Sequence, residues 1–252
     1  MNAFWQAVGF LTRFPVPKRA HTLEGWNDSP KYYPLVGLLL GAVIWLAARL
    51  AELGFGSAAS PVAAALVVAF WIYATGALHL DGWMDLADGL GSQRSRERTL
   101  EIMKDSRVGA MGVVAAIVLI LLKVAAVQQL AAAGALLALT VVPAMARAAL
   151  LGAIRFFPYI QREGGLGSGL RGGVTPAALL VNGLLVLAAS FAAGRWMGVI
   201  AFAAILLAGG LFGRSIVRRL GGFTGDVYGA LIEGAETLAL LVLLILNTEG
   251  RL

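Results

Sequence analysis

Cysteine is absent from this 252-residue chain, histidine occurs only twice, and charged residues make up 13% of it. Without cysteine there is no disulfide and no thiolate metal site, and nothing is said about compartment. So little charge does not cover the surface of a soluble domain of this length. Acids are the scarcer sign, 14 against 20 Lys and Arg, so any cluster of them stands out. The opening stretch, MNAFWQAVGFLTRF, has no basic start and no small-residue cleavage site, which argues against a cleavable signal peptide. It reads as a short interfacial or re-entrant helix with Phe4, Trp5 and Phe10 toward lipid.

What is there is apolar: 59% hydrophobic residues and a mean hydropathy of +0.82. The long, nearly charge-free runs predict an all-α polytopic membrane bundle. No linker or composition shift divides it, so residues 1–252 read as a single transmembrane domain. Seven spans are expected, at 35–53, 61–79, 110–130, 135–154, 177–193, 197–212 and 230–246. With loops alternating between two sides, fifteen Lys and Arg fall on one side and two on the other; Arg49, Lys123 and Arg147 fall within spans. That asymmetry places the N-terminus in the cytoplasm and the C-terminus outside. The formal charge of +6 therefore reflects topology and does not call for nucleic acid as a partner.

The longest interruption of the apolar sequence is HLDGWMDLADGLGSQRSRERTLEIMKDSRVGAMG, residues 79–112, read as a loop running through Arg107 after span two. On a helix, Asp81, Asp85 and Asp88 fall within roughly 60° of one another. Three like charges at a membrane boundary repel and lose hydration, so a compensating hard cation such as Mg2+ or Mn2+ is expected. Asp81 and Asp88 lie ~10.5 Å apart along a helix axis. Either two ions sit with Asp85 between them, or other acids complete each shell. Solvated aspartates at a helix end are the plainer alternative.

A second acidic set, GGFTGDVYGALIEGAE, puts Asp226, Glu233 and Glu236 within roughly 80° on one helical face. Glu233 and Glu236 reach into an apolar span, where carboxylates are costly unless bound or paired. Internal salt bridges to Arg147 or Lys123 are the alternative to a site role there. Arg94, Arg96, Arg98, Lys104 and Arg107 suit topology as well as phosphate binding, and Lys104-Asp105-Ser106-Arg107 is the tighter phosphate candidate. His79 reads as a ligand, a base or an interfacial hydrogen-bonder. The glycine loop at 163–173 lacks a lysine-serine ending, so it is no Walker motif, and it reads as a flexible cover over substrate.

These two acidic stretches, with the N-terminal FLTRFPVP and YYPLVGLLLG, resemble the cobalamin synthase (adenosylcobinamide-GDP ribazoletransferase) family over most of the chain. Trp83 and Met84 are bulkier than expected within an otherwise intact carboxylate pattern. The resemblance implies that a 5′ oxygen of α-ribazole, or of its 5′-phosphate, attacks adenosylcobinamide-GDP and releases GMP. It implies Mg2+ held by Asp81, Asp85 and Asp88, with Asp226 and Glu233 completing the shell. Lys104, Asp105, Arg107 and Arg147 are expected at the substrate phosphates, and Asp85 or Asp88 is expected to take the proton. The expected setting is the inner membrane, with lipid around the protein, the site toward the cytoplasm, and homo-oligomerisation left open. A CDP-alcohol phosphotransferase would share the aspartate pattern, but its DGxxAR opening is missing. A cation-coupled transporter would place its acids in broken helices near mid-membrane.

Overall fold

The computed structural model describes residues 2–17, 23–56, 60–160 and 167–249. Their helices are α1 (Asn2–Leu11), α2 (Leu23–Asp28), α3 (Tyr33–Phe55), α4 (Pro61–Ala74), α5 (Leu78–Gly91), α6 (Arg96–Ile102), α7 (Ala110–Ala132), α8 (Val142–Phe156), α9 (Pro176–Leu220) and α10 (Gly225–Glu249). Proline stands in the first turn of α3, α4, α8 and α9, where its missing N–H costs nothing. Several residues counted in the charge asymmetry (Lys18, Arg19, Arg162 and Arg251) lie outside the described residues.

Five described helices are long and apolar enough to cross a membrane, or six counting the bent pair α4–α5. A straight 45-residue α9 would be ~67 Å long, far more than a bilayer core. It is not straight: Arg195 has φ +52 and ψ −138, and beyond it the chain doubles back. Gly198 lies so close on the Ser190 carbonyl that no Cβ fits, and the Phe191 and Trp196 rings meet edge to face at 5.5 Å. The two arms of α9 thus occupy the two spans expected at 177–193 and 197–212.

The second expected span, 61–79, is different. Its helix stops at Ala74, Gly76 and Ala77 take positive φ, and the axis turns by 91° into α5. Left-handed backbone at Ala77 costs about 1–2 kcal/mol, so its surroundings must enforce it. The Arg13 amide does so in part by donating to the Ala74 carbonyl at 2.7 Å. The aspartate stretch, expected in a loop, is consequently a helix of its own, and 96–102 adds α6 behind it.

The N-terminal segment is helical as expected, but its aromatics pack on the chain itself. Phe4 meets Tyr32 at 5.8 Å and Trp5 at 5.3 Å, while Phe10 meets Trp26 at 5.0 Å. Helix α8 is the axis of the bundle, buried along nearly all its length. Its small residues let neighbours close in, and a Cβ on Gly37 of α3 would lie 2.6 Å from the Ala144 Cα. Leu46 and Leu50 of α3, Ile117 and Leu121 of α7, and Leu184 and Leu207 of α9 face outward, the surface a lipid solvent requires.

Candidate functional site

The first turns of α5 meet the start of α10, its later turns meet the start of α7, and Tyr33 at the start of α3 borders the same cavity as Asp81 and Asp226. Gly82 of α5 crosses α10 so closely that a Cβ would lie 2.5 Å from the Asp226 carbonyl oxygen. Gly229, one turn on, leaves room for the His79 backbone, whose carbonyl oxygen is 3.1 Å from where its Cβ would be. The two acidic stretches are therefore brought together by glycines on facing helices. Asp81 and Asp226 border one cavity, and Asp85 lies within electrostatic reach of Asp81, Asp226 and Asp88. Lys104 is close enough to Asp226 to offset part of its charge.

That cavity holds about 610 Å3 of empty space, part of it open to solvent. Apolar side chains of α1, α5, α8 and α10 form most of its wall, with Tyr33 and Tyr228 among them. Gly167 and Leu170 close one side, so the described part of the glycine loop does lie over the site. The Gly167 amide donates to the Tyr159 hydroxyl at 3.1 Å, and Gly173 packs on the Asn27 backbone. Residues 163–166 of that loop lie outside the described residues. A short bridge aligns the chain here: Phe223 N–H donates to the Pro158 carbonyl at 2.8 Å, and Ile160 N–H to the Phe223 carbonyl at 3.0 Å. It fixes the entry into α10 just before Asp226.

The other expected ligands are otherwise engaged. Asp88 turns to the start of α7, where its two oxygens accept the Gly109 amide at 2.8 Å and the Gly112 amide at 2.7 Å. Those amides are among the donors a helix start leaves without a partner, and a carboxylate is favoured there. Both positions need glycine: a Cβ at Gly112 would lie 2.5 Å from an Asp88 oxygen. Asp88→Ala is accordingly expected to cost about 1–2 kcal/mol of stability, read as a lower thermal midpoint in detergent. Unchanged melting would remove the capping role.

Glu233 and Glu236 are buried in the bundle with Lys123 and Arg147, as the salt-bridge alternative has it. Lys123 donates to Glu233 at 2.5 Å and to Glu236 at 2.8 Å, and Arg147 pairs with Glu236. All four are at most 3% exposed, and the Lys123 ammonium also lies over the Trp71 ring at 4.7 Å. The expected shell of Asp81, Asp85, Asp88, Asp226 and Glu233 is thus not assembled as one group. Among the described residues no three His, Cys, Asp or Glu side chains converge on a metal position. Arg147, expected at a phosphate, instead holds Glu236 and donates to the Pro143 carbonyl at 3.2 Å.

Asp105 and Arg107 pair with each other on the surface, at 3.0 Å and 2.6 Å. Arg107 holds the Asp105 carboxyl down at about 2, so this pair does not titrate near neutral pH. Arg96, read only as one of a basic cluster, donates to the Leu220 carbonyl at 2.7 Å and packs beside Gly221, whose φ is +81. It ties α6 to the C-terminal end of α9. No spacing in the sequence announces that contact across 124 residues.

His79, which had three readings, is 3% exposed, and neither ring nitrogen has a hydrogen-bond partner among the described residues. It lies in the wall of the cavity. An interfacial role is excluded by that burial.

The family described as cobalamin-5-phosphate synthase matches residues 3–244. A relative from Brevibacillus brevis, described as adenosylcobinamide-GDP ribazoletransferase, is 45% identical over 96% of this chain and 98% of its own length. Relatives of the same description from Desulfitobacterium hafniense and Thermosynechococcus vestitus are 42% and 40% identical, each over 96% of this chain. No solved structure matches.

Proposed function

The chain belongs to the cobalamin-5-phosphate synthase family, and on that premise we propose that it joins α-ribazole, or its 5′-phosphate, to adenosylcobinamide-GDP. A ribose hydroxyl oxygen bonds to the phosphorus that carries cobinamide, the bond to the bridging oxygen breaks, and GMP leaves. The 5′ oxygen expected from the sequence is not the nucleophile. A product that is a 5-phosphate still carries its phosphoryl group on that oxygen, so a ring hydroxyl must attack.

The observation that carries this reading is the meeting of Asp81, Asp85 and Asp226 beside a cavity, at an end of the bundle that also presents Lys104. Their hard oxygen donors fit Mg2+, which is commonly held by one or two carboxylates plus substrate phosphates and not by a full protein cage. Asp81 and Asp226 would hold it, and when bound it supplies neutralisation of the diphosphate charge. Asp88, committed to two amides, leaves Asp85 to accept the proton of the attacking hydroxyl. Lys104 stands beside Asp226 to bind a phosphate oxygen as a point charge. Glu233 and Arg147 act as support beneath the site.

Loop charge supports a site that faces the cytoplasmic side of the inner membrane, where nucleotides are found. The test is turnover of detergent-purified protein with adenosylcobinamide-GDP and α-ribazole. GMP release that EDTA abolishes and Mg2+ restores is the expected result. No GMP from both substrates together would overturn the reading, and EDTA resistance would remove the metal from it.

A further inference from the structure

The cavity behind the acids has an unusual balance of chemistry. Its wall is hydrocarbon and aromatic ring, from Phe10, Leu78, Leu150, Ile154 and Ile232. The Tyr33 hydroxyl already has Ser29 at 3.3 Å. Set into that wall is His79, whose two ring nitrogens are buried with no partner among the described residues, within electrostatic reach of Arg147, Glu236 and Lys123. Buried polar atoms are normally hydrogen-bonded, and an unpaired imidazole beside a cavity points to a group that arrives.

Of the pieces the two substrates bring, one matches. A corrin ring with its amide arms is too polar for a space walled largely by hydrocarbon. Guanine presents polar atoms on several edges and would leave most of them unpaired. The dimethylbenzimidazole of α-ribazole is a flat hydrocarbon bicycle with two methyl groups and a single unsubstituted ring nitrogen. Resting on the proposed ribazole transfer, we propose that this cavity seats the base of the acceptor nucleoside and that His79, its ring turning from the buried charges toward the base, donates a hydrogen bond to the free ring nitrogen. The ribose then emerges between Asp81 and Asp226, where its hydroxyl meets the diphosphate. Gly229 matters because it lets the backbone of His79 approach α10.

The experiment compares α-ribazole with the α-riboside of 5,6-dimethylindole, which has the same shape but carbon in place of that nitrogen. The wild-type protein is expected to prefer α-ribazole by about 10- to 100-fold in kcat/KM. His79→Ala is expected to raise KM for α-ribazole by a similar factor, leave KM for adenosylcobinamide-GDP unchanged, and abolish the preference. His79→Asn, which keeps a donor, is expected to restore part of it. Equal use of the two ribosides by the wild-type protein overturns the proposal even if no variant folds. So does a preference that survives in His79→Ala, or a loss confined to KM for adenosylcobinamide-GDP. Absence of any GMP release from the wild-type protein would instead strike the proposed reaction, so the two failures are separable.

Discussion

Asp81→Asn is expected to slow GMP release by ~100-fold or more with little change in melting temperature. Asp81 is exposed at the mouth of the cavity, so losing its charge removes no packing. What it removes is half of an acidic pair shared by two helices that are 145 residues apart in the chain, Asp81 on α5 and Asp226 on α10. Asp226→Asn is expected to show the same loss, because either change leaves one carboxylate where two are proposed to hold the ion at the diphosphate. A second readout separates metal binding from other roles. Mn2+ titrated into wild-type protein and followed by electron paramagnetic resonance should show a bound ion that weakens in both variants. Near-normal turnover in Asp81→Asn, or unchanged Mn2+ binding, would take that residue out of the site.

Glu236→Gln is expected to cause the largest loss of stability, about 3–5 kcal/mol. Its carboxylate is the common partner of Lys123 and Arg147, and all three are nearly inaccessible. With Glu236 neutral, two cations face the single charge of Glu233 in an apolar interior. The cost comes from that uncompensated charge, so it is expected to shrink when a cation is removed as well. Lys123→Met with Glu236→Gln leaves Arg147 and Glu233, one charge of each sign, and should cost less than the sum of the single changes. Thermal unfolding in detergent reads both. Additive costs would show that the four charges act independently, and a drop of under about 1 kcal/mol for Glu236→Gln would show that water relieves them.

The same four residues show where sequence reading reaches its end. Lys123, Arg147, Glu233 and Glu236 were visible as charges inside apolar runs, and a charge in a span needs a ligand or a partner. Which of the two it has depends on the rotation of α7 and α8 against α10, and periodicity within one helix carries no such information. Glu233 and Asp226 share a helical face in the sequence, yet one meets Lys123 and the other borders the cavity. Asp88 lies on the stripe of Asp81 and Asp85 and still serves α7, because Gly109 and Gly112 leave space for it there. The break at Ala74–Leu78 was also hidden. A threonine and a glycine are weak punctuation, and the Arg13 amide that braces the bend comes from a different part of the chain.

By itself the sequence determined that this is a helical membrane protein, with its aspartates near one another and most of its basic residues between the apolar runs. Hydropathy, helical spacing and charge placement are local properties, and each is complete in the order of residues. Only the tertiary structure decided that Asp81 and Asp226 share a cavity, that Asp88 caps a helix, and that Glu233 belongs to a buried ion cluster. Those outcomes turn on how closely helices approach and which faces they turn to one another, which small residues such as Gly82 and Gly229 permit but do not by themselves specify.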